Sequence, residues 1–319
     1  MNAIESEADI EGTSSPHASA VAVLVAGVMV ASTLVAPAGE AQVSAPRPGQ
    51  RVALVTGSTS GLGHELALRL GSMGMHVIVH GRNRERGLEV VEAIESDGVG
   101  SARFYRADFA SFEQVREFGE AILRDCDRLD ILINNAGIAR TPGGGRTLSQ
   151  DGYELVFQVN HLSHFLLTRM LLPRLLESVP SRLVNVSSSA QQQIDFDDVM
   201  LEDGFSGGRA YAQSKLAQVM FTFDLAEELA EELEGSGVMV NTLHPATYMD
   251  TPMVTRGGVT PRATVDEGAD AVMQLVTSPD IGSGGYFMGQ RRWRANVQAY
   301  DEDVRTKLWT LSEELTGAR

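Results

Sequence analysis

The sequence predicts an α/β fold, a single domain on a doubly wound parallel sheet of about seven strands with helices on both faces. Two observations carry this. From Arg51 onward, short apolar runs alternate with helix-length amphipathic stretches. The first run meets the first amphipathic stretch at "TGSTSGLG", which puts Gly57, Gly61 and Gly63 into one junction. A chain of 319 residues that is 43% hydrophobic can bury a core of this size.

Each element follows from local pattern. "RVALVT" (51–56) is a short apolar run and reads as a buried strand, and helical spacing runs from Leu62 to Met73. "MHVIVH" (75–80) is the second strand, followed by a polar helix over 84–97. "ARFYRA" (102–107) is the third, with a helix over "FEQVREFGEAILRD" (112–125). "LDILIN" (129–134) is the fourth. A long helical stretch spans Asp151 to Glu177, and Pro173 is expected to kink or break its last turns. "RLVNVS" (182–187) is the fifth strand, 211–234 a strongly patterned helix, and "GVMVNTL" (237–243) the sixth strand. "GYFM" (285–288) is the seventh. This alternation implies right-handed βαβ units, with the ligand site at the carboxyl ends of the strands where the strand order reverses.

Composition sets outer bounds. A net charge of -16 argues against general nucleic-acid binding, which needs a basic surface, while leaving room for a local basic pocket. Cys126 is the only cysteine, so no internal disulfide forms, and a reducing, cytoplasmic setting is compatible.

Residues 1–49 read as an extension ahead of a domain at 50–319. The head carries Glu5, Glu7, Asp9 and Glu11, then 18–36 is an uncharged apolar segment, then a Pro/Ala/Gly linker expected to make few contacts. The segment reaches the lower length of a membrane span, and Arg47 and Arg51 behind it would keep the domain cytoplasmic. A signal and a loosely packed tail are the alternatives; the acidic start is unlike that of a secretory signal.

Glycines between a strand and a helix let a phosphate approach the backbone, next to the free N–H groups and positive dipole end of the helix. The spacing Thr56-Gly57-x-x-x-Gly61-x-Gly63 differs from the familiar G-x-G-x-x-G. With "NNAG" (134–137), Asn160 in the next helix, "NVSS" closing the fifth strand, Tyr211-x-x-x-Lys215 and "HPATYMDT", it resembles the short-chain dehydrogenase/reductase family over nearly all of 51–290. "GRN", "FQVNHLSHFLLT" and "RLVNVSS" look most like its retinol-dehydrogenase-like branch.

The resemblance implies a Rossmann-fold oxidoreductase that moves a hydride between a nicotinamide and a CH–OH or carbonyl group. Tyr211 would be the acid–base residue, Lys215 would lower its pKa and hold the nicotinamide ribose, Ser188 would bond the substrate oxygen, and Asn160 would hold a water linking Lys215 to solvent. Elementary chemistry agrees with the pairing. A phenol titrates near ~10 and is a poor acid at neutral pH unless a cation sits beside it. Tyr211 and Lys215 are spaced i, i+4 and share a helix face. Ser187, Ser188 and Ser189 are consecutive; the family motif favours Ser188, with Ser189 second.

The same resemblance implies cofactor contacts from Gly57, Ser58, Ser60, Gly61, Leu62 and Gly63 of the turn, and from Arg82 and Asn83 after the second strand. It adds Asp108 and Phe109 after the third strand, Asn134, Ala136 and Gly137, then Tyr211, Lys215 and Thr247. No carboxylate stands at the end of the second strand, where Arg82 suits the 2′-phosphate, so NADP(H) is favoured over NAD(H). Arg82 and Arg84 as plain surface charges is the alternative. Asp108 is equally suited to cap the helix that follows.

His161 and His164 are only i, i+3 on an apolar helix and point to packing, so no metal site is expected. Arg291, Arg292 and Arg294 form a basic run suited to a solvated face, a dimer contact or a substrate carboxylate. The long span between Ser188 and Tyr211, with Tyr248, Met249 and Met253, suggests a partly apolar cleft for a lipophilic small molecule. Ala246 replaces the family's usual glycine and puts the local backbone in question. A non-catalytic NADP-sensing protein on this fold is the competing reading, though a sensor needs no acid–base pair. Membrane contact through 18–36 and a homo-oligomer stay open.

Overall fold

The computed structural model describes residues 44–139, 141–231 and 237–318. The apolar segment 18–36 and the acidic head lie outside the described residues. The sheet contains β1 (Val52–Val55), β2 (His76–Gly81), β3 (Ser101–Arg106), β4 (Ile131–Asn134), β5 (Ser181–Val186), β6 (Val238–His244), β7 (Gly285–Met288) and β8 (Arg291–Arg292). Its order is β3-β2-β1-β4-β5-β6-β7-β8, parallel up to β7. The doubly wound sheet is as expected. Seven parallel strands meet the expectation of about seven, and β8 adds a two-residue antiparallel edge too short to leave a periodic pattern.

Strand alternation divides the core. Leu54 pairs in register with Ile78 and Leu132, and these three face one layer. Val55, Val79 and Ile133 face the other. All six are fully buried, and truncating one such residue to alanine costs about 2–5 kcal/mol. On the first face lie α3 (Phe112–Asp125), α4 (Leu155–Phe157), α5 (Ser163–Glu177), α6 (Gly207–Glu231) and α9 (Glu302–Thr316). On the second lie α1 (Gly61–Ser72), α2 (Arg84–Ser96) and α8 (Val265–Thr277), with the short α7 (Pro252–Thr255) in the loop after β6.

The helix expected from Asp151 begins at Leu155, where the Glu154 carboxylate accepts from the N–H groups of Val156 and Phe157. Between α4 and α5 the chain makes one π-helical turn, Gln158–Leu162. Pro173 lies inside α5 without ending it. No helix among the described residues is long and apolar enough to cross a membrane.

The end of the linker carries contacts that its composition does not suggest. The Ser44 hydroxyl bonds Glu95, Arg47 donates to the Gly100 carbonyl at 2.8 Å, and Gln50 donates to the Gly74 carbonyl at 3.0 Å.

Five described histidines are buried, and four of them are held far below the usual imidazole range. Burial pulls His76 and His80 down to about 4, and His161 and His164 to about 3. The folded chain therefore keeps them neutral, whereas unfolded imidazoles protonate near 6.5. Their contribution is complete above that value and is lost as pH falls from about 6.5 toward 4, by about 1.4 kcal/mol per pH unit for each histidine. We expect the unfolding temperature to drop steadily between pH 7 and 5. A flat profile would contradict their neutral burial.

Candidate active site

The site forms where β1 and β4 separate, at the carboxyl ends of the strands. Gly57 and Gly61 have φ of +67° and +57°, the left-handed region that glycine adopts without strain. A Cβ on Gly57 would stand 2.9 Å from the Ala136 Cα, and one on Gly63 would stand 2.4 Å from Asn135 Nδ2 and 2.5 Å from the Gly57 carbonyl. Two of the three glycines are thus already explained by the protein's own backbone. The Thr56 hydroxyl oxygen accepts from the N–H groups of Asn135 and Ala136, both at 2.9 Å, and Asn135 Nδ2 donates to the Thr56 carbonyl at 2.8 Å.

Ser60 caps α1 without a side-chain bond and is exposed. The first turn of that helix leaves N–H groups with no intrahelical acceptor. Beside it is a cavity of about 300 Å³ lined by Thr59, Ser60, His64, Arg86, Glu89, Val90, Pro252 and Arg256. Free N–H groups, a hydroxyl and two guanidinium groups suit a diphosphate, so the residues present fit a dinucleotide. Arg86 and Arg256 were not among the expected contacts. Arg86 belongs to the basic run after β2, while Arg256 is brought in by the loop after β6 and has no local signal.

Several of the expected contact residues have side chains engaged within the protein. The Ser58 side chain faces β2, accepting from the His80 N–H at 2.9 Å. Asn134 is fully buried, donating to Thr168 Oγ1 at 2.9 Å and Asn185 Oδ1 at 2.8 Å. The side chains of Ser58 and Asn134 are thus engaged within the protein. Leu62 packs in the core. Phe109 is buried and stacked on His80, with ring centroids 4.5 Å apart. Asn83 caps α2 by accepting from the Arg86 N–H at 2.9 Å. Ser111, not Asp108, caps α3. Asp108 instead lies 3.8 Å from Arg82, and both stand at the ends of neighbouring strands. Arg82 is 70% exposed. Thr247 is exposed, 3.0 Å from the His244 ring nitrogen. Gly137 borders both Asn160 and Lys215: a Cβ there would lie 3.2 Å from Asn160 Oδ1 and 3.6 Å from Lys215 Nζ.

The structure brings Ser188, Tyr211 and Lys215 together at the end of β5 and the start of α6. The three serines part company. Ser187 Oγ donates to the Lys215 carbonyl at 2.7 Å, Ser189 is exposed, and Ser188 is buried beside the Tyr211 phenol, which its hydroxyl pulls down. Ser188 Oγ also accepts from the Ala190 N–H at 3.1 Å, which leaves its proton for the phenol oxygen.

Lys215 is buried and donates to the Val186 carbonyl at 2.9 Å and to Gln218 Oε1 at 2.8 Å. Its ammonium sits 5.7 Å from the centre of the Tyr211 ring. Burial pulls Lys215 down to about 7. The Tyr211 phenol is pushed up by burial, with the Ser188 bond pulling the other way. The lysine has lost much of its own charge to desolvation, so burial of the phenol wins.

Asn160 is fully buried in the π-helical turn. Its side chain accepts from the Ile138 N–H at 2.8 Å and donates to the Ile138 carbonyl at 3.0 Å and to Ser214 Oγ at 2.9 Å. The side chain is therefore a brace for the loop after β4. His161 and His164 diverge: His161 Nε2 meets Ser312 Oγ at 2.8 Å, and His164 Nε2 meets Thr56 Oγ1 at 3.0 Å.

The span between Ser188 and Tyr211 buries Ile194, Val199 and Leu201. It presents Gln191, Gln192 and Gln193 to a cavity of about 590 Å³ that Asn296 also lines. Ile194 and Asp195 line it too, so the lining is part polar and part apolar. Met249 packs with Leu62 against Gly268 of α8 rather than facing a cleft, whereas Tyr248 and Met253 are exposed. Near Ala246 the unusual backbone falls at Tyr248, with φ of +51°.

A model of the short chain dehydrogenase family matches residues 51–258. The chain is 37% identical over 294 residues to Retinol dehydrogenase 14 of Mus musculus, across 84% of this chain and 86% of that protein. It is similar in structure to an uncharacterised protein from Mycobacterium paratuberculosis, at a TM-score of 0.70 and 30% identity, covering 86% of this chain and 97% of that one. A short chain dehydrogenase from Escherichia coli CFT073, complexed with NADPH, matches at a TM-score of 0.61 and 27% identity, over 76% of this chain and 97% of that chain.

The serine geometry yields a test that needs no ligand. Ser188→Ala removes the bond that holds the phenol down, so Tyr211 should titrate at higher pH than in the parent chain. Ser189→Ala should leave it unmoved. Carbon-13 NMR of labelled tyrosine reads both, and equal behaviour of the two variants would contradict the assignment.

Proposed function

The chain belongs to the short-chain dehydrogenase family, and on that premise we propose that it moves a hydride between NADP(H) and an alcohol or carbonyl of a lipophilic substrate. Oxidoreduction of such groups follows from the family. The particular residues and cofactor are our reading, and the observation that carries it is buried Lys215 set 5.7 Å from the centre of the Tyr211 ring, with buried Ser188 acting on the same phenol.

When bound, the nicotinamide gives or takes the hydride. The chain's own residues manage the proton and the oxygen. In reduction Tyr211 gives its phenolic proton to the carbonyl oxygen, and in oxidation it takes the proton of the hydroxyl. Ser188 donates a hydrogen bond to that same oxygen. Lys215, drawn by burial to about 7, can either hold or release a proton near neutrality and so resupplies Tyr211. Asn160 fixes the loop after β4 against α6 through Ile138 and Ser214.

Three basic groups support NADP(H). Arg82 stands exposed at the end of β2, which itself carries no carboxylate, with Asp108 of the neighbouring strand end 3.8 Å away, and Arg86 and Arg256 line the cavity at the helix start. The NADPH bound by the Escherichia coli structure supports the same choice. A lipophilic substrate is supported by the likeness to a protein called a retinol dehydrogenase. The glutamines facing the larger cavity would then meet the polar end of that molecule.

Tyr211→Phe should abolish turnover of lipophilic aldehydes such as retinal while NADPH still binds. Turnover at the parental rate would contradict the proposed chemistry, and its absence in the parent chain would favour the sensor. Arg82→Ala should erode the preference for NADPH over NADH by roughly one to two decades, the weight of one charge-assisted contact. An unchanged preference would show that Arg86 or Arg256 reads the phosphate instead.

A further inference from the structure

We propose that His80 and His164 form a pair of neutral imidazoles that lock the Thr56-Gly57 turn from beneath, and so act as positioning residues for the dinucleotide. The role rests on the cofactor reading above. Neither histidine takes part in the chemistry just described, yet each is buried and each touches the turn.

The tautomers follow from the partners. His80 Nε2 lies 3.2 Å from the Ala107 carbonyl, which can only accept, so the proton is on Nε2. Nδ1 is then bare and accepts the Gly57 N–H at 3.0 Å. His164 is the mirror case. Its Nδ1 lies 2.9 Å from the Asn160 carbonyl, so the proton is on Nδ1, and the bare Nε2 accepts the Thr56 hydroxyl proton at 3.0 Å. With that proton directed to His164, the lone pairs of Thr56 Oγ1 are free for the N–H groups of Asn135 and Ala136.

Each ring thus offers one acceptor to the turn and one donor to a fixed carbonyl. An imidazolium has no acceptor and could serve neither. Phe109 holds the pair in place, stacked on His80 with centroids 4.5 Å apart and edge-on to His164 at 5.2 Å. The backbone of His80 adds to the grip, exchanging bonds of 2.9 Å with the Ser58 N–H and hydroxyl. Two consequences follow for the ligand. The Gly57 N–H is spent on His80, so the anion is left to the first turn of α1. Through His80 the turn is tied to the loop bearing Asp108, and through His164 to the turn bearing Asn160.

Two measurements on the full chain test this. Long-range proton–nitrogen NMR at pH 7 should show His80 as the Nε2–H tautomer and His164 as the Nδ1–H tautomer, both neutral. The opposite tautomer or an imidazolium at either position overturns the proposal, and this holds even if no variant folds. NADPH binding followed by fluorescence should weaken about tenfold in His80→Leu. His80→Asn, whose Oδ1 takes the place of Nδ1, should recover most of the loss. Parental binding in His80→Leu, or equal loss in both variants, would mark the histidine as merely structural. If the parent chain binds neither NADPH nor NADH, the cofactor reading fails and takes this role with it.

Discussion

The close approach of two backbones, the turn after β1 and the segment after β4, is the constraint on which the rest of the site depends. Gly57 and Gly63 have no room for a Cβ because Ala136, Asn135 and the turn itself occupy it. Once those segments touch, Thr56 can join them through its hydroxyl, and the first turn of α1 is aimed at the gap between β1 and β4. The carboxyl ends of β5 and β6 stand alongside in the same parallel sheet. Ser188 and Tyr211 therefore converge with the cradle without any further device. A side chain at either glycine would part the two segments before it disturbed any ligand.

Burial decides the electrostatics of the site. In water an ammonium beside a phenol would favour phenolate. Here both groups are withdrawn from water, and desolvation acts on each against its charge: the lysine falls and the phenol rises. The free chain thus holds Tyr211 as an acid and Lys215 near the midpoint of its titration at neutral pH. A resident positive charge would be needed to tip the phenol the other way, which the oxidised nicotinamide carries and the reduced one does not. Under the proposed function, the same two residues would serve opposite directions of reaction.

Much of this was legible in the sequence, and the reasons are specific. Tyr211 and Lys215 were marked by their company, since they follow the glycine turn, NNAG and the serine motif of the family they resemble, while the i, i+4 spacing only sets them on one helix face. Glycines mark the turn because the left-handed backbone at Gly57 and Gly61 favours that residue. Side-chain direction at strand ends was less legible. Asn134 and Asn135 are adjacent, and one enters the core while the other grips the turn. Likewise three consecutive serines take three different roles, and only β5 and α6 together distinguish them. Arg256 reaches the cradle from far along the chain, and the π-helical turn at Gln158–Leu162 has no periodic signature.

That turn shows how a local irregularity serves the site. In a regular helix each carbonyl accepts from the N–H four residues on; here the Asn160 carbonyl also meets the side chain of His164, the residue four positions ahead. A π turn rotates the preceding residues relative to the rest of the helix, and such turns are frequent at functional sites. Here it delivers the Asn160 amide to the Ile138 backbone and to Ser214 on α6. It leaves His164 facing Thr56. One extra residue in the winding thus aims two side chains at two different neighbours, the loop after β4 and the turn after β1. A straight helix from Leu155 would have moved them to other faces.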